Sequence, residues 1–311
     1  MSNELYKKYR PTLFKNVIGQ DGVVKQLKDW TARKAVPHAV LFSGPSGCGK
    51  TTLARILASK VDCQKSDLLE INCASERGIG MVREVQQRGS LAPMWGTARV
   101  WIVDECHQLT GEAQGALLKT IEDTHAHAYY FLATTHPEKL RREIRTRVSE
   151  LKVRLLTDQE CLMLLESVCK KEKIKITEDV ASRITSTANG SARKALVILH
   201  QISGLKTEKE QLKAILDADH EKQSIDLAKM LLNGSSKNWS AVAKLVKEVL
   251  QNQEAEEIRR QLLGYCASVM LNANGKFLSR AFLICDSFRD NYFDSGRAGL
   301  ILSCYEVLHS K

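Results

Sequence analysis

No stretch of the 311 residues stays apolar for the roughly 18–20 positions that a bilayer-spanning helix needs, so a membrane protein is not expected. The opening residues, MSNELYKKYRP, lack the apolar core of a secretory signal. The expected location is therefore the cytoplasm or nucleoid, or the nucleus in a eukaryote, and not outside the cell. Nine cysteines are scattered, odd in number, and form no C-x-x-C pair. That spacing offers neither a disulfide framework nor a zinc ribbon and points to free thiols in a reducing compartment. Internal repeats and low-complexity segments are also absent. What remains is a chain of ordinary apolar content, 43%, long enough for two or three globular domains.

Charge is unevenly spread. Lys plus Arg exceed Asp plus Glu by 46 to 36, a net of +10. Residues 1–216 hold 34 basic and 24 acidic residues, which accounts for the whole excess, whereas residues 217–311 hold 12 of each. A solvated basic surface explains such a bias. So does a polyanionic partner, most often nucleic acid.

Hydrophobic patterning divides the chain in the same place. AVLFS (39–43), DLLEIN (67–72), RVWIVD (99–104) and YYFLATT (129–135) read as strands. The third is apolar almost throughout, as a central parallel strand buried on both faces is. Helical stretches fall between them, over Lys50–Lys60, about Gly80–Arg88 and Gly111–Asp123, so an α/β domain with a parallel sheet is predicted for residues 1–152. From residue 153 the strand signal stops. Thr157–Lys173, Thr177–Ala188 and Ser191–Gly204 read as helices with a hydroxyl residue placed to cap each start, and form a small helical domain over 153–216. A polar patch at Ala218–Lys222 reads as a boundary. Beyond it lies an all-helical third domain, 217–311, with helices over Ser224–Leu232, Ser240–Gln251, Glu254–Leu271, Lys276–Phe288 and Gly296–Leu308 and turns at NGSSKN and NANG.

Two motifs carry chemistry. Gly44-Pro-Ser-Gly-Cys-Gly-Lys50-Thr51 fits G-x-x-x-x-G-K-[ST] in full, between a strand and a helix. Gly47, Cys48 and Gly49 let backbone N–H groups curl around phosphates. Lys50 brings a charge to the β and γ phosphates, Thr51 a hydroxyl to Mg²⁺, and Thr51 and Thr52 open the helix whose dipole favours anions. The third strand ends in Asp104-Glu105. Acidic residues at a strand end often only meet water. Behind a phosphate loop they read as a magnesium-ordering carboxylate, Asp104, and a carboxylate that polarises the attacking water, Glu105.

In these motifs, and in KKYRPTLFKNVIGQ, LLEINCASERGIGMVREVQ, FLATTHPEKL and GSARKALVILHQ, residues 5–204 resemble the clamp-loader branch of the AAA+ ATPases. The resemblance is closest to small subunits of replication factor C with their archaeal and phage counterparts, and more distant to the bacterial gamma/tau subunit. It implies an AAA+ phosphate-loop domain, a helical lid and a C-terminal helical collar. Tyr9, Arg10 and Pro11, with Val17 and Ile18, would hold the base of ATP. Thr135 would be the first sensor. Arg193 would be the second, swinging onto the γ phosphate. Arg147 would be the arginine finger completing a neighbouring subunit's site, although Thr146 and Val148 depart from the family's Ser-Arg-Cys and Arg141, Arg142 and Arg145 lie close by. Arg77 and Arg83 would grip template phosphates, and Gln114 would couple DNA contact to the acidic pair.

The implied partners are a sliding clamp, primer-template DNA and other loader subunits in a five-membered assembly with several copies of this chain. The implied cofactors are ATP and Mg²⁺. Only Cys63 and Cys73 lie between the phosphate loop and the acidic strand, so the cysteine zinc module of bacterial gamma/tau is missing and the chain looks like the compact replication factor C or phage type. The alternative is an AAA+ DNA remodeller or a branch-migration or recombination ATPase. Residues 217–311 show no strand pattern for the winged-helix tail of a branch-migration motor.

Overall fold

The computed structural model describes residues 4–233, 239–272 and 276–309. Five strands, β1 (Ala39–Ser43), β2 (Leu68–Asn72), β3 (Arg99–Asp104), β4 (Ala128–Thr134) and β5 (Ser149–Lys152), form one sheet in the order β2-β3-β4-β1-β5. Every pairing is parallel. β5 is not foreseen from the sequence: SELK is short and three-quarters polar, and it is a strand because β1 offers it a free edge. The helices before and among the strands are α1 (Leu5–Lys8), α2 (Asp21–Ala32), α3 (Lys50–Lys60), α4 (Ile79–Gly89), α5 (Gly111–Glu122) and α6 (Arg142–Arg147).

Period-two alternation sends each strand's side chains to two cores. Leu41, Trp101, Val103, Tyr130 and Leu132 face α4 and α5, with Trp101 and Tyr130 stacked at 5.3 Å. Val40, Phe42, Val100, Ile102 and Phe131 face the other way, onto Leu53 and Leu57 of α3 and Leu27 of α2. A parallel sheet covered on both faces must place its ligand-binding loops at the strand ends. Because β4 lies between β1 and β3, the phosphate loop, the segment after Thr134 and the acidic pair emerge side by side at the carboxyl ends of the strands.

Three helices follow, α7 (Asp158–Glu172), α8 (Glu178–Ala188) and α9 (Ala192–Ile202). The expected caps are in place: Thr157, Thr177 and Ser191 accept hydrogen bonds from the N–H groups of Glu160, Val180 and Lys194. Asn189 and Gly190, both left-handed, separate α8 from α9.

The chain divides into two compact units, Met1–Glu208 and Lys209–Lys311. The patch at 218–222, expected as a boundary, instead lies within one helix, α10 (Glu208–Asn233). Ala-Asp-His-Glu-Lys lacks apolar periodicity, but Ala, Glu and Lys are strong helix formers and the helix runs on through them. The second unit continues with α11 (Trp239–Asn252), α12 (Ala255–Asn272), α13 (Lys276–Ser287) and α14 (Gly296–His309) around its own core, and its described residues include no strand. The turns expected at 233–238 and 272–275 fall on residues outside the described ones, Asn233 and Asn272 excepted, which close α10 and α12. No helix among the described residues is long and apolar enough to cross a membrane.

Candidate nucleotide site

Glycine is obligatory where the phosphate loop turns. Gly47 has φ +76°, and a Cβ there would sit 2.1 Å from Ser191 Oγ, the cap of α9. The loop and the start of the lid helix are thus in contact only because Gly47 has no side chain. Around them lies a cavity of about 730 Å³. It brings together Tyr9, Arg10, Pro11, Val17, Ile18, Gly47, Cys48, Gly49, Lys50, Thr51, Thr52, Asp104, Glu105 and Arg193, residues drawn from the N-terminal segment, the phosphate loop, β3 and the lid. Asn72, Lys171 and Leu196 also line it and were not singled out from the sequence; nothing in their local pattern marks them.

The charged groups of the site are each held by neutral partners. Lys50, buried, donates to the carbonyls of Gly44 and Pro45, each at 2.8 Å. Thr51 Oγ1 donates to Asp104 Oδ2 at 2.9 Å. Glu105 is left-handed at φ +51°, which turns its side chain out of the strand direction, and its Oε2 accepts from Thr135 Oγ1 at 3.2 Å. Thr135 therefore reaches the acidic pair without lining the cavity. Arg193 lies over the ring of Tyr6, 5.9 Å from its centroid. Tyr9, beside the base-binding segment, has its phenol pushed up to about 12, chiefly by its hydrogen bond to Glu172. Burial pushes the Cys48 thiol up, against the pull of nearby Lys50, so this loop cysteine is a poor nucleophile at neutral pH.

Other predicted residues stand apart from the cavity. Arg147 closes α6, half-exposed, in an ion pair with Glu122 and bonded to the Glu143 carbonyl. Arg77 and Arg83 are exposed before and on α4, and the Arg77 carbonyl accepts from Thr110 N, the cap residue of α5. Gln114 does not touch the acidic pair. It is buried, with its amide on the carbonyls of Leu109 and Lys139 and its Oε1 accepting from Arg141 N. It ties α5 to the segment before α6, so the coupling expected of it is not a direct contact.

A phosphate loop, an adjacent carboxylate pair and a helical lid converging on one cavity define a phosphate-loop ATPase of the AAA kind. The model of the ATPase family associated with various cellular activities matches residues 40–157, the RCF1/5-like AAA+ ATPase lid domain matches 163–203, and the Rad17 P-loop domain matches 1–78. The chain is 30% identical over 269 residues to the DNA polymerase III gamma subunit of Buchnera aphidicola from Schizaphis graminum, covering 79% of this chain and 74% of that protein. It is 29% identical over 289 residues to the tau subunit of Bacillus subtilis, and 35% identical over 221 to gamma/tau of Mycobacterium tuberculosis. These cover 86% and 64% of this chain, but it spans only 51% and 38% of those two proteins. The chain belongs to the AAA ATPases, in the family of the DNA polymerase III gamma subunits. A lid of the RCF1/5 type stands beside that kinship. The Thermotoga maritima RuvB Holliday junction branch migration motor superposes with a TM-score of 0.57 at 22% identity over 76% of this chain and 84% of that one, a likeness of fold alone.

Proposed function

We propose that this chain is an ATPase subunit of a sliding-clamp loader, opening a ring-shaped clamp, placing it on primer-template DNA, and releasing it on ATP hydrolysis. The observation that carries the reading is a division of labour between the carboxyl ends of the strands and the surface outside them. The nucleotide machinery is gathered in the cavity, while Arg147, Arg77 and Arg83 are presented outside it.

Tyr9, Arg10, Pro11, Val17 and Ile18 would hold the base, and the loop N–H groups with Lys50 the phosphates. Thr51 and Asp104, two hard oxygen donors 2.9 Å apart, fit Mg²⁺, which supplies charge neutralisation at the phosphates. Glu105 would take a proton from water as its oxygen attacks the γ phosphorus and the bond to the β-phosphate oxygen breaks, yielding ADP and inorganic phosphate. Thr135 orients that carboxylate and Arg193 stabilises the γ phosphate. Arg147 would complete the same charge stabilisation in a neighbouring copy.

Arg77 and Arg83, with no ion pair among the described residues, would bind template phosphates without reading sequence. The bond from Thr110 N to the Arg77 carbonyl links that segment by one hydrogen bond to the end of the turn that follows Glu105. The second unit, nearly neutral and helical, would be the collar, with Phe277 and Phe282 of α13 and Leu302 of α14 exposed for packing against companions in a five-membered assembly.

The exposed Leu91, Met94 and Trp95 add a second apolar surface. Their loop is fixed by buried Asp67, which accepts from the N–H groups of Met94 and Trp95 and pairs with Arg99 at 2.8 Å. A rigid apolar loop of this kind suits docking onto another protein.

The test is ATP turnover with the companion subunits, with and without primed DNA and clamp. Stimulation that requires both supports loading. Turnover indifferent to the clamp, with movement on branched DNA, would support a remodeller instead.

A further inference from the structure

Tyr6 lines the nucleotide cavity and is used by none of the steps above. It is not on a loose tail. Leu5 beside it is buried, Lys8 pairs with Glu172 at the end of α7, and Tyr9 hydrogen-bonds the same carboxylate. α1 is therefore fastened to the lid. The Arg193 guanidinium, carried by α9, lies over the Tyr6 ring with its carbon 5.9 Å from the centroid. Lys7 Nζ is 5.5 Å from the same centroid, but its ammonium is paired with Glu4.

Arg193 begins at the phosphate loop. A Cβ on Gly47 would lie 3.5 Å from Arg193 Cβ. A change of side-chain rotamer, with no movement of α9, thus decides whether the guanidinium meets a phosphate at the loop or the ring on α1. In the structure it meets the ring, and among the described residues it has no hydrogen bond and no ion pair. A cation–π contact at an exposed site is weak, whereas a guanidinium–phosphate bond joins two ionised groups. The γ phosphate of ATP would draw the arginine off the ring. ADP has no such group and would leave it there.

We propose that Tyr6 is a specificity-determining residue of this site: its ring competes with the γ phosphate for Arg193 and so sets the ratio of ATP to ADP affinity. This rests on the reading of Arg193 as the γ-phosphate ligand. Binding of ATP gives up the ring contact and binding of ADP keeps it, so the ring weakens ATP alone.

The test measures binding of ADP and of a non-hydrolysable ATP analogue, each with Mg²⁺, by titration calorimetry on the full chain. Wild type is compared with Tyr6→Leu, Tyr6→Phe, Arg193→Ala and the double variant Tyr6→Leu with Arg193→Ala. Arg193→Ala should weaken the ATP analogue by about tenfold or more and leave ADP within about twofold. Tyr6→Leu should tighten the ATP analogue by about two- to fivefold with ADP unchanged, and Tyr6→Phe, which keeps a ring face, should restore the wild-type ratio. In the Arg193→Ala background the effect of Tyr6→Leu should vanish. An ATP analogue bound no more tightly by Tyr6→Leu, an equal shift for both nucleotides, or an effect that survives in the double variant overturns the proposal and leaves Tyr6 a wall of the cavity. Arg193→Ala weakening both nucleotides alike, or neither, overturns the underlying reading of Arg193, and Tyr6 with it.

Discussion

Lys50 is held in place by the loop it serves. Its ammonium bonds two carbonyls of the same turn, and those bonds must be exchanged for phosphate oxygens when a nucleotide enters. An ammonium–phosphate bond joins two ionised groups whereas an ammonium–carbonyl bond has only one, so the exchange is downhill. Lys50→Ala is expected to weaken ATP binding by about 100-fold or more, read by titration with a fluorescent analogue. The behaviour of Arg147 is opposite. Its partner Glu122 is a 40% exposed side chain and the pair is worth little, so the guanidinium is readily surrendered to a stronger anion. Arg147→Ala should leave ATP affinity unchanged and lower turnover by about 10³-fold in the assembled loader. Undiminished turnover would take Arg147 out of the role, and Arg141, Arg142 and Arg145 would be the next to test.

At the scale of elements, the start of α7 fastens the lid to the segment before α2. Glu160 forms a capping box with Thr157, and its carboxylate also takes both terminal nitrogens of Arg154, at 2.7 and 2.6 Å. Arg154 N in turn donates to Gln20 Oε1. The Arg154 guanidinium, followed by the Thr157 bonds, holds the Glu160 carboxyl down at about 2, against a desolvation that would raise it. A carboxyl depressed on folding contributes stability that is present above its unfolded value, near 4.5, and is lost as pH falls toward 2. Glu160→Gln should therefore cost about 1–2 kcal/mol at pH 6–7, discounted for the half-exposed Arg154, and the gap to wild type should close between pH 4.5 and 2. Unfolding followed by circular dichroism across that range measures it; a gap that does not narrow would mean that the box, and not the charge, is what matters.

The same contacts show why some of the molecule is legible in one dimension and some is not. β1 and β3 emerge where the sequence predicts them because their signal is local: an apolar run stopped by a Gly-rich turn or by Asp-Glu. The caps of α7, α8 and α9 are equally local. β5 depends on a partner over a hundred residues away in register, and the cavity contributions of Asn72 and Lys171 depend on where β2 and α7 end up. Asp104 and Glu105 can be read from the strand they close, whereas Tyr6 acquires a meaning only when α9 brings Arg193 over its ring. Gln114, placed by resemblance, shows the limit of carrying a role by position: its neighbours are backbone groups of the segments before α5 and before α6.

For the whole molecule, the proposed role of Arg147 makes the nucleotide site of one chain a half-site. The cavity collects Lys50, the acidic pair and Arg193 but not Arg147, which the same chain carries on α6. A head-to-tail interface that sets Arg147 of one copy against the cavity of the next is the arrangement that uses both, and it makes activity a property of pairs. Two inactive variants then repair each other. In a Lys50→Ala chain the pocket is empty but the arginine is intact; in an Arg147→Ala chain the pocket is intact but the arginine is gone. Mixed in equal amounts and allowed to exchange, a functional pairing needs the pocket of the second beside the arginine of the first. That holds at about one quarter of the interfaces between copies if exchange is random. Turnover of the mixture should rise from near zero toward about a quarter of the wild-type value and fall again on dilution below the concentration at which copies associate. Co-assembly of the two variants, shown by pull-down of a tagged copy, without any recovery would mean that Arg147 does not act across the interface.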